Sequence, residues 1–146
     1  SSILFTTINN RIEDFLINKM DEKKALRYNK NKPEWSLIHF ESLIPLINVL
    51  KYGELKYSIF ENEFGEEIKG SEVDKNNIFD LKLVSSGREN WKLGLDKKEI
   101  LDSLMRHTVS LLDGKEYDDE SKLHHIGHIM ANAMFYSYYL NKENGK

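Results

Sequence analysis

The chain contains no cysteine, and only two of its 146 residues are proline. The first absence excludes a disulfide framework and any thiolate metal centre, and it suits a reducing compartment. Long apolar runs are also missing: nothing approaches the roughly 18 consecutive apolar residues of a membrane span, and no signal-peptide pattern opens the sequence. A soluble, cytoplasmic protein without membrane association is therefore expected. Excess positive charge is lacking too. The formal net charge of -3 argues against a duplex nucleic-acid partner, which would require a basic face to displace counterions. Walker-type glycine loops, GxSxG elbows and HExxH motifs do not occur.

What is present is a 40% hydrophobic chain, long enough for one domain with its own core. Residues 1–146 are read as a single mainly α-helical domain. Ile8, Ile12, Phe15 and Leu16 recur at helical spacing, with the helix ending near Met20. Lys23, Lys24, Arg27, Lys30 and Lys32 then precede Pro33. Such a cluster serves either as a solvated face or as point charges for a polyphosphate. From Pro33 to Tyr57, the positions Leu43, Ile47, Leu50 and Tyr57 predict a second helix in which Pro45 occupies the first turn or introduces a kink. Glu54 faces inward if that helix continues past Gly53.

Residues 58–88 change character. Gly65, Gly70 and Gly87 punctuate short runs, and the Leu81, Leu83 alternation predicts strand, so this segment reads as a small β-containing excursion from the helical body. After Gly94 comes an amphipathic helix with Ile100, Leu101, Leu104, Met105, Leu111 and Leu112 inward, stopped by Gly114. Asp102 and Arg106 are i, i+4 neighbours on it, and His107 sits at the edge of its apolar stripe.

The stretch from Asp118 to Tyr139 draws most attention. It is read as one helix opening under Asp118 and Glu120, where carboxylates favour the positive end of the dipole. On a wheel of about 100° per residue, Ser121, His125, His128 and Asn132 fall within roughly 60° of one another. They make a polar stripe on an otherwise apolar helix. Histidines so placed are commonly satisfied core groups; here their density, with Arg106 and His107 in the preceding helix, points to a pocket.

Four blocks resemble the phage-type dATP/dGTP diphosphohydrolase N-terminal family, itself similar to the MazG-like all-α nucleotide pyrophosphohydrolases. Tyr28 to Pro33 with Leu37-Ile38 and Phe40-Glu41 resembles (K/R)(F/Y)DxGKPxxxLxPxE. Val49 to Gly53 with Lys56-Tyr57 is followed in the family almost directly by an Asn-Trp pair, here Asn90-Trp91. Arg106-His107 is the third block. Gly114 to Ser121, then Leu123 to His125, His128 and Asn132, resembles GExxDxESGxxHxxHxxxN. The chain departs from these patterns at Asn31 and Lys122, where the family has glycine, at His39, where it has proline, and in the roughly thirty residues between Tyr57 and Asn90.

The resemblance implies hydrolysis of purine (deoxy)nucleoside triphosphates between the α and β phosphates, with Mg²⁺ or Mn²⁺ as cofactor. It implies His125, His128 and Glu120 as catalytic groups and Glu41 and Asp118 as metal ligands, with Glu120 a further candidate ligand and Glu54 behind. Lys32, Lys51, Asn90, Trp91, Arg106, His107 and Asn132 would hold the nucleotide. Broad apolar helix faces in a short chain add the expectation of a homo-oligomer. Two other readings stay open: a nucleotide-binding protein that sequesters its ligand, such as a phage counter-defence sponge, and a metalloenzyme built on His107, His125 and His128.

Overall fold

The computed structural model describes residues 2–19, 25–74 and 76–145, with side chains 18 and 19 left undescribed. By internal contacts the chain divides into two units, Ser1–Leu37 and Ile38–Lys146.

In the first unit, α1 spans Ser2–Lys19. It begins six residues before the periodic stripe, and the Thr6 and Thr7 hydroxyls donate back to the carbonyls of Ser2 and Ile3 at 2.8 and 2.9 Å. Ile8, Ile12, Phe15 and Leu16 are all exposed. The expected helix end at Met20, with Lys23 and Lys24, lies outside the described residues. A turn closed by Lys32 N–H donating to Asn29 O follows, with Asn31 at its centre at φ 64°. The unit ends in a 3-10 turn, Trp35–Leu37.

The second unit carries the remaining helices. A 3-10 turn at Phe40–Leu43 leads into α2, Ile44–Lys56, with proline in the first turn. There the ring's missing N–H costs nothing, because that position has no intrahelical partner. The helix thus starts one residue after Leu43, where the helical spacing begins, and Pro45 takes the first-turn position rather than a kink. It passes through Gly53 and keeps Glu54 half-buried. Its buried residue is Val49; of the stripe read from the sequence, Leu43 and Leu50 are half-buried whereas Ile47 and Tyr57 are exposed, so the packing face is turned toward Val49.

The excursion is a three-stranded antiparallel sheet of β1 (Ile59–Glu61), β2 (Glu67–Lys69) and β3 (Lys82–Ser85) in the order β2-β1-β3. Phe60 of the central strand is buried, paired with Ile68 on one side and Leu83 on the other. Buried Ser58 ties this sheet to the end of α2. Its hydroxyl donates to Glu54 O at 2.5 Å and accepts from Gly87 N–H at 2.9 Å, while its carbonyl accepts from Gly70 N–H at 2.8 Å. Gly87 sits so close that an added Cβ would lie 2.5 Å from Tyr57 C and 2.6 Å from Glu54 O.

The chain then enters α3 (Lys97–Leu112), capped by Asp96, whose carboxylate accepts from Lys98 N–H. Serving as an N-cap, Asp96 satisfies one of the orphan donors of the first turn. Ile100 is buried, but Leu101, Met105 and Leu112 are exposed, so only part of the expected inward set is covered within one chain. The last helix, α4 (His125–Glu143), packs against both α2 and α3. Gly127 permits the first of these approaches, since a Cβ there would fall 2.3 Å from Pro45 O.

The expected helix from Asp118 begins seven residues later than the sequence suggests. His124 is its N-cap, with Nδ1 accepting from Ile126 N–H at 3.0 Å. Residues 118–123 instead form a tight loop closed by a bridge between Tyr117 and His124. Within it, Lys122 holds φ 62° and donates its N–H to Asp118 O. Asp118 and Glu120 are therefore loop residues rather than first-turn carboxylates of α4.

Candidate functional site

Between α2, α3, α4 and the two loops that precede α3 and α4 lies a cavity of about 590 Å³, within the usual size of small-molecule sites. Its wall includes Asn90, Trp91, Arg106, His107, Asp118, Glu120, His125, His128 and Asn132. Glu41 is exposed and is not part of that wall, while Lys51 lines a separate, smaller depression with Glu54 and Ser58. Lys32 belongs to the first unit and is exposed there.

The centre of the wall is three imidazoles. His107 from the middle of α3 meets the first residue of α4, with its Nδ1 2.7 Å from Nδ1 of His125. One of the two rings must carry its proton on Nδ1 for the other to accept it. The His107 ring also stacks on His128, one turn further along α4, with centroids 4.4 Å apart and planes 4° from parallel. His125 is buried at 6% exposure. Burial, reinforced by the neighbouring His128, pulls the His107 pKa down to about 4. The same desolvation lowers His128, against the opposing pull of Asp118. Both rings are therefore neutral near pH 7, able to donate and accept without carrying charge.

The loop before α4 aims its side chains at these rings. Asp118 Oδ2 accepts from Ser121 N–H at 2.8 Å and stands 3.9 Å from His128 Nε2. Burial alone would raise this carboxyl, but the hydrogen bonds from Ser121 and the nearby histidines bring it net below its ordinary value. Ser121 Oγ lies 2.7 Å from His128 Nε2, forming a chain from carboxylate through serine to imidazole. The wheel that grouped Ser121 with His128 assumed a continuous helix. The loop produces the contact by another route.

Glu120 faces the cavity mouth. It accepts from Lys56 Nζ at 2.5 Å and from Tyr52 OH at 3.3 Å; the Lys56 bond holds its carboxyl below the usual range. Tyr52 and Lys56 stand four apart on α2, a spacing that marks them as one face; the family-like block contains both, but nothing in the sequence assigned them a role. On the opposite side, Asn132 donates to Ser103 Oγ at 3.2 Å and to His128 O at 2.8 Å. Arg106 is exposed on α3 and lines the wall; no ion pair joins it to Asp102 among the described residues.

An aromatic floor completes the cavity. Trp91 stacks on Phe135 with centroids 4.9 Å apart, while Tyr138 meets the indole edge-on. The loop bearing Trp91 is pinned by buried Tyr139, whose hydroxyl donates to Trp91 O at 2.6 Å and accepts from Gly94 N–H at 3.0 Å. Lys92 Nζ sits 5.2 Å from the centroid of the same indole ring.

A Mg²⁺ shell of Glu41 and Asp118 does not fit these positions. Glu41 is not in the cavity wall and so does not join Asp118 there; the carboxylates that share the wall with Asp118 are Glu54 and Glu120, beside the imidazoles of His107, His125 and His128.

The family model for the N-terminal region of dATP/dGTP diphosphohydrolase matches residues 22–146. A protein of Salmonella phage PMBT28 named dATP/dGTP diphosphohydrolase is 30% identical over 89 residues, which make up 61% of this chain and 28% of that protein. The chain thus aligns with little more than a quarter of that relative's length. No solved structure matches. No helix among the described residues is long and apolar enough to cross a membrane.

Proposed function

From the premise that the chain belongs to the dATP/dGTP diphosphohydrolase N-terminal family, we propose that its cavity binds a purine deoxynucleoside triphosphate and cleaves it between the α and β phosphates. The products are a nucleoside monophosphate and pyrophosphate. The observation carrying this reading is convergence: one cavity is lined by a guanidinium, two side-chain amides, an indole, and Asp118 and His128, which Ser121 links from behind the wall. Phosphoryl transfer requires charge stabilisation and an oriented water more than covalent help. Arg106 supplies fixed positive charge to phosphate oxygens. His128, neutral near pH 7 and held by Ser121, is the group suited to accept a proton from the attacking water. Asn90 and Asn132 offer amides to a base edge or sugar, with Trp91 and Phe135 beneath. The substrate pool would place the protein in the cytoplasm.

A second reading is favoured by one detail. Glu120, a carboxylate at the mouth, is already engaged by Lys56 and Tyr52, which suits a closed binding site that retains its nucleotide intact. Incubation with a panel of nucleoside triphosphates and cyclic nucleotides in the presence of a divalent cation, followed by chromatographic recovery, separates the two. Appearance of deoxynucleoside monophosphate and pyrophosphate supports hydrolysis; saturable binding with every ligand recovered unchanged replaces it with sequestration.

We also propose assembly into a homo-oligomer. Leu93 and Leu112 are 82% and 81% exposed, and Ile44, Ile47 and Met105 are exposed as well. This is more uncovered aliphatic surface than a lone small domain usually carries. Light scattering coupled to gel filtration should give a mass of at least twice 17.1 kDa; a monomer at micromolar concentration would refute it.

A further inference from the structure

We infer that His107, Asp118 and His125 form a binding site for one divalent first-row transition ion, of the Mn²⁺, Fe²⁺, Co²⁺ or Zn²⁺ kind, at the inner wall of the cavity. One donor atom from each lies within 4.8 Å of the others. The three come from different elements, namely the middle of α3, the loop before α4 and the first turn of α4. This juxtaposition depends on the fold and is not a run of neighbours along one helix. All three line the cavity, so an ion held there keeps its remaining positions open toward the space where a ligand would sit.

The chemistry of the donors selects the ion class. Two imidazole nitrogens and one carboxylate oxygen are the mixed set that first-row transition ions accept, whereas Mg²⁺ prefers oxygen alone. The His107–His125 nitrogen separation is 2.7 Å. Two nitrogens each about 2.1 Å from one ion, at bond angles of about 90–110°, stand roughly 3.0–3.4 Å apart. Occupation therefore opens the pair by several tenths of an ångström, breaking the N–H···N bond between the rings, with the Nδ1 proton passing to the Nε2 of the same ring by way of solvent, and drawing in the Asp118 carboxylate. That carboxylate is already oriented by Ser121 N–H at 2.8 Å, the kind of supporting bond that aims a metal ligand. His128, stacked on His107 and bonded to Ser121, is left outside the set. Hence this donor set differs from one of His107, His125 and His128.

The site shares its cavity with the proposed nucleotide site, but its test contains no nucleotide and so stands or falls apart from that reading. Chelator-stripped full-length protein is titrated with Co²⁺ and with Mn²⁺ by calorimetry, with the visible d–d absorption of Co²⁺ as a second readout. The expected result is one ion per chain, at least tenfold weaker Mg²⁺ binding, and at least a tenfold loss of Co²⁺ affinity in His107→Gln and Asp118→Asn. His39→Gln, at a histidine bonded to Ser42 on the surface, should leave affinity unchanged. His125→Gln is expected to behave like His107→Gln; if it does not fold by circular dichroism, the other two variants decide. Absence of a stoichiometric ion in the wild type, or unchanged Co²⁺ affinity in folded His107→Gln and Asp118→Asn, would overturn the assignment.

Discussion

At the scale of single residues, the site is governed by desolvation. His107 is neutral in the folded protein down to about pH 4, while in the unfolded chain an exposed imidazole titrates near 6.5. Between those values the unfolded state binds the extra proton, so this contribution to stability is fully present above about pH 6.5 and is lost as pH falls toward 4. His128, also lowered, adds to the same trend. For chelator-treated protein, denaturant unfolding should show stability falling with a slope of at most about 1.4 kcal/mol per pH unit for each histidine. In His107→Gln that slope should be shallower. An unchanged slope would mean that His107 is not neutral and buried as described.

The same scale holds two residues in left-handed backbone. Lys122 at φ 62° and Asn31 at φ 64° occupy the two positions where the resembled family pattern has glycine. The departures from glycine are legible in the sequence, whereas the left-handed turns at these two positions emerge from the fold. Lysine pays a steric penalty there that glycine avoids. Lys122→Gly should accordingly raise stability by about 1 kcal/mol, measurable as a higher denaturation midpoint with an unchanged m-value.

Among elements, the junctions are what the sequence conceals. Periodicity revealed α3, the existence of a small sheet and the helical character of residues 125–139. It did not reveal that α4 starts at His124-His125, because Asp118, Glu120 and Ser121 resemble a capping sequence while the loop uses them to close on itself. Nor could it show that Val49 is the packing face of α2, since that choice is made by contact with Gly127 on α4. Gly127→Ala should therefore cost about 1–3 kcal/mol through backbone displacement, seen as a lower melting temperature. Ser58 is the corresponding element-level link between α2 and the sheet. Ser58→Ala removes one acceptor and one donor from buried backbone groups and should cost about 1–3 kcal/mol, with increased hydrogen exchange at Gly87. Normal protection there would show that the sheet is held by other contacts.

For the whole molecule, most of the expected site residues meet in one cavity, and the exceptions have physical reasons. Lys51 lines a different depression beside α2, and Glu41 lies in a surface 3-10 turn. Spacing along the chain could suggest the histidines, Arg106 and Asn132 because adjacent helices bring them together. It could not suggest the Lys56–Glu120 pair or the Tyr139 clasp on the Trp91 loop, each made across distant segments. The exposed aliphatic side chains on α2 and α3 are likewise legible only as apolar positions; their lack of cover within one chain emerges from the fold, and it is the reason to expect partner copies.

The most direct measurement of the central claim is calorimetric titration of the protein with α,β-methylene dGTP, which cannot be cut at the proposed bond. Saturable binding of one ligand per chain is predicted, with Arg106→Ala weakening affinity at least tenfold and leaving the melting temperature unchanged. No saturable binding by the wild type, or equal affinity in the variant, would contradict a triphosphate held in this cavity.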